Sequence, residues 1–401
     1  MSLPAHAAYE QLARKAKASH TEGRSSRDIT SEDVDSARLY SYAFRVHTIG
    51  AYHATRLAIE ALQANDPLAA TELRRASETL EDLANQGMEP VPNDFRAVVF
   101  TFHRYDRGVR RVMDALERAA RASLDKQIER IGNRFGQIIS QITTTSGIYL
   151  THDTEAPEQA GFIVPNLGIT IVPLVYGDHH SWNLAFLSEE HLDVPWHRHH
   201  EGVEIHLGYE PLNGYMILGD AKSPVTEGYA LPIPSMTRHG WGNISGQVHH
   251  VPFIFGSLKQ AGWGVFLDVE AQPLELEQFK TVDRTDWQMN HAVYLNRQIK
   301  SLANQIGCRR QVLVPAAVMD RNGTGGLELS LSRANPSGFT YPLDDFRCVS
   351  VVSGQGQLQI GPARTRVRHH DHFGIPKGMT ATVSQVGDDP LVLLDALIKR
   401  P

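Results

Sequence analysis

Between Val194 and Tyr209 the chain reads VPWHRHHEGVEIHLGY, and five of the eight positions from His197 to Glu204 are histidine or glutamate. Imidazole nitrogens and carboxylate oxygens are donors that hold first-row divalent metals. In an extended strand, residues two apart face the same way, so His197 and His199 project together while Arg198 points to the opposite face. Glu204 follows at a spacing suited to the end of a bend or to the next strand. His200 and Glu201 lie in the bend or point outward. Further on, EGYALPIPSMTRHGWGN sets a Pro-rich turn before His239, which a returning strand would carry back to the same interior. Three imidazoles and one carboxylate, His197, His199, Glu204 and His239, suit one divalent transition metal with positions left for water or substrate. Iron, manganese, nickel, cobalt and zinc all accept such donors. His206, two beyond Glu204, shares its inward direction and is the candidate catalytic residue, as a general base, a substrate contact or a hydrogen-bond partner behind the metal. The plainer alternative for it is a hydrogen-bonded barrel histidine.

These residues resemble the two motifs of the cupin superfamily, G-x5-H-x-H-x3,4-E-x6-G and G-x5-P-x-G-x2-H-x3-N. His197, His199 and Glu204 fit the first motif's ligand spacing, and Gly228, Pro234, His239 and Asn243 fit the second. His191, Pro211 and Met236 stand where motif glycines would stand, departures that concern the turns and leave the ligand types in place. The resemblance covers residues 146 to 271, and in weaker form 312 to 401. It implies a pair of double-stranded β-helix barrels, a bicupin. In the second barrel, aligning SGQGQLQIG and HDHFGIPKGMTATVSQ with the motifs puts Thr340, Pro342, Arg347 and Ala381 at the ligand places, so that barrel is expected to hold no metal. His369, His370 and His372 read as a rim or surface cluster.

The elements that must position these groups are visible as periodicity. From Ser146, short runs rich in Val, Ile, Phe and Tyr alternate with Gly, Pro, Asp and Asn, the rhythm of an antiparallel sandwich or barrel. Before that point the spacing is helical. Phe95, Val98, Phe102, Tyr105, Val109, Val112 and Leu116 form one stripe, and Leu124, Ile128, Ile131, Phe135, Ile138 and Ile142 form another. A further helix is expected from Ser31 to Leu62, carrying Phe44, Val46, Ile49, Leu57 and Ile59, and a shorter one after Pro67. The fold class is therefore α+β and multidomain. An N-terminal α-helical bundle (1–145) precedes two antiparallel β-barrels, a metal-binding one (146–275) and a degenerate one (312–401), joined by a helical linker (276–311). The helical stripes need a partner surface, and a homodimer with helical contributions to its interface is expected.

Composition narrows the function. A net charge of -6 gives no footprint for nucleic acid, and no basic run suits an anionic membrane. No apolar stretch reaches the ~18 residues of a membrane span, and the N-terminus lacks a signal peptide's apolar core, so a cytoplasmic protein is expected. Cys308 and Cys348 are too few for a disulfide framework and read as buried apolar filler. The partner is a small molecule. No Gly-rich phosphate loop is present and few Lys or Arg fall in the barrel strands, which disfavours a phosphorylated substrate. Arg238 faces either a substrate carboxylate at the cavity mouth or a surface ion-pair partner. Three classes of function stay open. They are a non-haem metal oxygenase or dioxygenase sheltered by an apolar barrel, a non-redox isomerase, epimerase or lyase using the metal as Lewis acid, and a binding cupin without turnover.

Overall fold

The computed structural model describes most of residues 148–399, the helix at 67–85 and scattered positions between 30 and 118. Both helical stripes, Phe95 to Leu116 and Leu124 to Ile142, fall outside the described residues, as do Phe44, Val46, Ile49 and Leu57. The helix after Pro67 is α1 (Pro67–Asn85). Asp66 begins it by accepting the Ala69 N–H at 3.0 Å, and Pro67 sits at the first helical position, where its missing N–H costs nothing. Ala69, Ala70 and Leu73 on its inner face are buried, and they belong to the same apolar cluster as the first barrel's outer wall.

A short strand, β1 (Leu150–His152), precedes the first barrel. The barrel's strands are β2 (Phe162–Val164), β3 (Ile169–Tyr176), β4 (His180–Leu187), β5 (Val194–His199), β6 (Val203–Gly208) and β7 (Tyr215–Leu218). They continue as β8 (Ala221–Pro224), β9 (Tyr229–Ile233), β10 (His239–Gly242), β11 (His249–Gly256), β12 (Val269–Gln272) and β13 (Lys280–Thr281). Two sheets form, in the orders β2-β3-β4-β11-β6-β9 and β12-β5-β10-β7-β8-β13. Taking β4 to β11 as eight consecutive strands, one sheet holds the first, eighth, third and sixth, and the other the second, seventh, fourth and fifth. That interleaving is a double-stranded β-helix, a jelly roll that encloses one interior.

After α2 (Leu295–Ala303) come β14 (Arg309–Val314), the short α3 (Ala316–Met319) and β15 (Gly326–Ala334). The second barrel continues with β16 (Phe339–Tyr341), β17 (Arg347–Ser353), β18 (Gln355–Ile360), β19 (Ala363–Arg368), β20 (Asp371–Ile375), β21 (Ala381–Gln385) and β22 (Leu391–Lys399). Its sheets, β20-β17-β22-β15 and β16-β21-β18-β19, repeat the same interleaving. The sequence places residues 150–152 in the first barrel, whereas β1 pairs with β20 and extends the second barrel's sheet.

The two large sheets face each other. Leu327, Leu329, Leu331, Leu394, Ala396 and Ile398 on one side join Val172, Leu174, Trp182, Ile205 and Ile254 on the other in one buried cluster. Polar ties cross the seam as well. His180 Nε2 donates to the Ala396 carbonyl at 3.1 Å, and the Thr151 hydroxyl donates to the Leu174 carbonyl at 2.8 Å. Two expectations are corrected here. His372, read as a rim residue, is fully buried at this seam, 5.5 Å from the Trp182 ring, because β20 is buried on both faces. Its Nε2 and His370 Nδ1 donate to Asp153 at 3.3 and 3.0 Å. Burial alone would raise the Asp153 carboxyl, but these two hydrogen bonds prevail and hold it well below the usual range. Cys308 is exposed, while Cys348 alone is buried, between the sheets.

Candidate metal centre

The site is built on three strands of the first barrel. On β5, Trp196 and Arg198 face outward while His197 and His199 face in, each only 3% exposed. Glu204 and His206 line the same interior from β6, whose opposite face, Val203, Ile205 and Leu207, is covered too, so the whole strand is buried. His239 opens β10 and is paired with His197 across the ladder. Gly240 lets the two backbones meet, since a Cβ there would lie 2.9 Å from the Val194 carbonyl oxygen. The turn before His239 runs Pro234, Ser235, Met236, Thr237, closed by the Thr237 N–H on the Pro234 carbonyl. Met236 occupies the glycine place of the motif with φ 63°, so a left-handed residue is still required although its type has changed.

Within this interior, His197, His199, Glu204 and His239 bring one donor atom each within 4.8 Å of one another, and no other such group occurs among the described residues. Glu204 spans the set. Its Oε1 is 2.9 Å from His199 Nε2, and its Oε2 is 2.9 Å from His239 Nε2 and 2.7 Å from His206 Nε2. His197 Nδ1 contacts the Pro195 carbonyl at 2.7 Å and His239 Nδ1 the Thr237 carbonyl at 3.0 Å. A carbonyl can only accept, so both Nδ1 atoms carry the proton and both Nε2 lone pairs are left bare toward the centre. His239 Nε2 is buried without a hydrogen-bond donor and faces the Glu204 carboxylate, which His199 Nε2 also meets. A buried lone pair turned toward a carboxylate leaves a gap that a cation completes. The donors therefore fit a divalent metal.

Electrostatics agree with that chemistry. Burial, helped by the neighbouring His239 and His199, pushes the His197 imidazole well below its ordinary value, so it stays neutral and able to ligate. Burial would raise Glu204, but His199 and His239 outweigh it and keep the carboxylate ionised, well below its usual range. His206 is lowered by burial against the pull of Glu204, so its Nε2 donates to the carboxylate as a neutral ring. Trp241 stacks on that ring at 5.6 Å and 12°, and Phe253 meets it edge-on. Both aromatics fix its orientation.

Beside the donors the barrel interior leaves a small cavity, about 450 Å³ of atom-free space when the solvent at its mouth is included. Apart from the donors, His206 and the Trp241 indole, its described lining is hydrocarbon, with Leu167, Ile169, Ile171, Val194, Val251 and Phe253 as the main walls. Arg238 does not reach it. Its guanidinium pairs with Glu270 at 2.5 Å and lies 4.7 Å over the Trp196 ring on the outer face, which settles its two sequence readings in favour of the ion pair. His200 is exposed, and Trp241 is one of the cavity walls.

The second barrel presents a different interior. The alignment named Thr340, but Thr340 is exposed and Tyr341 is the residue that faces in, paired with Ala381 as His197 is paired with His239. Arg347, at the start of the strand equivalent to β6, is 3% exposed and donates to Asp395 at 2.8 Å. A guanidinium thus stands where the first barrel has its carboxylate.

The strand orders define two double-stranded β-helix barrels, the cupin fold, and one of them holds a buried three-histidine, one-glutamate cluster. Among solved structures, the chain is similar to salicylate 1,2-dioxygenase from Pseudoaminobacter salicylatoxidans with gentisate, at TM-score 0.45 and 14% identity over 56% of this chain and 72% of that one. It is also similar to a cupin 2 conserved barrel domain protein from Leptotrichia buccalis, at TM-score 0.39 and 12% identity over 58% and 89% of the two chains. No protein-family model matches the sequence, and no curated protein matches it. The barrel assignment rests on the strand orders themselves.

Proposed function

We propose that the first barrel is the site of a metal-dependent oxidoreductase, an oxygenase of the dioxygenase type acting on a small and largely apolar organic molecule. The observation that carries this reading is a buried four-donor cluster of which His197, His199 and Glu204 line a cavity whose other described walls are almost entirely hydrocarbon. A sugar or polyol would bring several hydroxyls into such walls, and each hydroxyl left without a partner costs about 1–3 kcal/mol. An apolar body with one or two oxygen donors turned toward the centre meets no such penalty.

His197, His199, Glu204 and His239 would hold the metal, iron being the best match to the proposed chemistry, with manganese, nickel, cobalt and zinc accommodated by the same donors. When bound, a redox-active metal supplies the electron transfer to dioxygen that closed-shell organic molecules resist. The chain's own residues prepare the site. Val194, Val251 and the Ile169–Ile171 wall exclude water from the reacting region. His206 holds a proton at Nε2 against Glu204 and keeps Nδ1 without a hydrogen-bond partner, so it can accept a proton from a substrate hydroxyl. That same pair supports the second reading, proton transfer in a non-redox isomerase or lyase.

The test is metal analysis of protein purified without oxygen, followed by oxygen-electrode assays on small hydrophobic hydroxy and keto compounds. The wild type should carry one metal per chain, His199→Ala should carry almost none, and oxygen uptake should depend on substrate. Undiminished metal in the variant overturns the ligand set. Turnover that proceeds without oxygen transfers the assignment to the isomerase reading.

A further inference from the structure

We propose that Glu270 is a positioning residue for the metal centre, a carboxylate on the outside of the barrel that fixes the two strands carrying the histidine ligands. The inference rests on the metal reading above and concerns residues that the centre itself does not contain. Glu270 lies on β12, which pairs with β5 and places Val269 opposite His199, Glu270 opposite Arg198 and Ala271 opposite His197. Strand β10 lies on the far side of β5, so β12 and β10 do not touch through their backbones. The side chains bridge that gap. Glu270 Oε2 accepts from Arg198 Nε and Nη2 at 2.8 and 2.5 Å, while Oε1 accepts from Arg238 Nη2 at 2.5 Å. His200 Nε2 approaches the same Oε2 at 3.6 Å.

Both arginines occupy telling positions. Arg198 sits between ligands His197 and His199, and Arg238 immediately precedes ligand His239. Alternation along a strand makes each arginine the outward neighbour of an inward ligand, so moving the arginine moves the imidazole. Arg238 reaches back across β5 and lies over the Trp196 ring, clasping the strand from outside. A clasp is needed because the β5–β10 ladder is irregular at this point. It pairs His239 with His197 and Trp241 with Val194, with a register shift between the two pairs. A continuous ladder would fix the spacing of His239 against His197 and His199 through backbone hydrogen bonds. Here a bidentate carboxylate and two guanidiniums do so from the opposite face.

Ion pairs at a partly exposed surface contribute little to folding, so the larger effect is expected in the geometry of the donors and the smaller in global stability. Partners that orient metal ligands typically change affinity by about 10- to 100-fold when removed, and Glu270, acting one residue away from the ligands, belongs at the lower end, about tenfold.

The experiment titrates cobalt(II) into the metal-free full-length protein and reads affinity and the visible d–d bands, with thermal melting of the metal-free form alongside. Wild type, Glu270→Ala, Glu270→Asp and His199→Ala are compared. Glu270→Ala should weaken cobalt binding about tenfold and shift the bands while the metal-free melting temperature barely moves, and Glu270→Asp should recover part of both signals. His199→Ala should bind no stoichiometric cobalt. If wild type binds cobalt tightly and Glu270→Ala gives the same affinity and the same bands, the positioning role is overturned and the metal site stands. A lowered melting temperature with unchanged affinity and bands places Glu270 in the fold alone and overturns the role equally. If wild type itself binds no cobalt, the metal reading falls and takes this inference with it.

Discussion

Replacing Arg347 by methionine tests how the second barrel is held together and why it is expected to carry no metal. Asp395 is 1% exposed and Arg347 3%, and they meet at 2.8 Å inside the barrel. Burial still pushes the Asp395 carboxyl above its ordinary value, although Arg310 and Arg347 both favour the ionised form. Removing one member of a buried pair costs about 3–5 kcal/mol, because the other charge is left uncompensated. The lower end applies here, about 3 kcal/mol, since Arg310 stays 3.3 Å from Asp395 and the Ser332 hydroxyl stays at 3.5 Å. The loss has a definite dependence on pH. In Arg347→Met the folded Asp395 holds its proton to higher pH than the unfolded chain does, so above pH ~4 the unfolded state binds fewer protons and stability falls as pH rises. Urea unfolding at pH 8 and pH 5.5 should therefore show a larger deficit at pH 8. The double variant Arg347→Met, Asp395→Leu removes both charges and should return to within about 1 kcal/mol of wild type with little pH dependence. Equal stabilities for single and double variants at both pH values would refute the reasoning.

Two further outcomes follow from single positions. Met236→Val puts a β-branched residue at φ 63° and should lose roughly 1–2 kcal/mol, whereas Met236→Gly should be neutral or better; equal melting temperatures for the two would show that the turn is not held in the left-handed region. His180, 2% exposed, is lowered by burial to about 3, so the folded state keeps it neutral while the unfolded chain protonates it below pH ~6.5; stability should fall as the pH drops from 6.5 toward 3. The contribution is roughly 2 kcal/mol between pH 6.5 and 4.5, and His180→Gln, which keeps a donor for the Ala396 carbonyl, should flatten that slope. An unchanged slope in the variant would assign the acid sensitivity to other groups.

What was legible in the sequence is what depends on local spacing. His197 and His199 share a face because two residues make one period of a strand, and Glu204 and His206 repeat the rule on the next strand. The Pro-rich turn announced the return of His239. The same rule explains a failure. With no ligand types to anchor the second barrel's alignment, a shift of one residue put Thr340 inward instead of Tyr341, and in a strand one residue is the whole difference between faces. Other features had no local signal at all. The pairing of β1 with β20 joins segments more than two hundred residues apart, and the contacts of Asp153 with His370 and His372 follow from it. The partner of Arg238 was equally hidden, because Glu270 meets it only after β12 has been laid beside β5.

The two barrels show how one topology supports opposite interiors. In the first, the buried formal charge among the donors is the Glu204 carboxylate, surrounded by imidazoles that burial keeps neutral or that hold their protons against carbonyls, so a dication entering the centre meets lone pairs and a negative charge. In the second, the strand equivalent to β6 begins with Arg347, and the carboxylate that neutralises it, Asp395, comes from β22, the strand equivalent to β11. A dication there would meet a fixed guanidinium, and binding would require breaking an ion pair already made. The ion pair therefore predicts that the second barrel excludes a dication, while its outer sheet face, from Leu327 to Leu331 and Leu394 to Ile398, shields the back of β6, the strand that carries Glu204 and His206. An interior without that ligand set is compatible with the barrel's part in the fold, because the face that packs on the first barrel is the outer one.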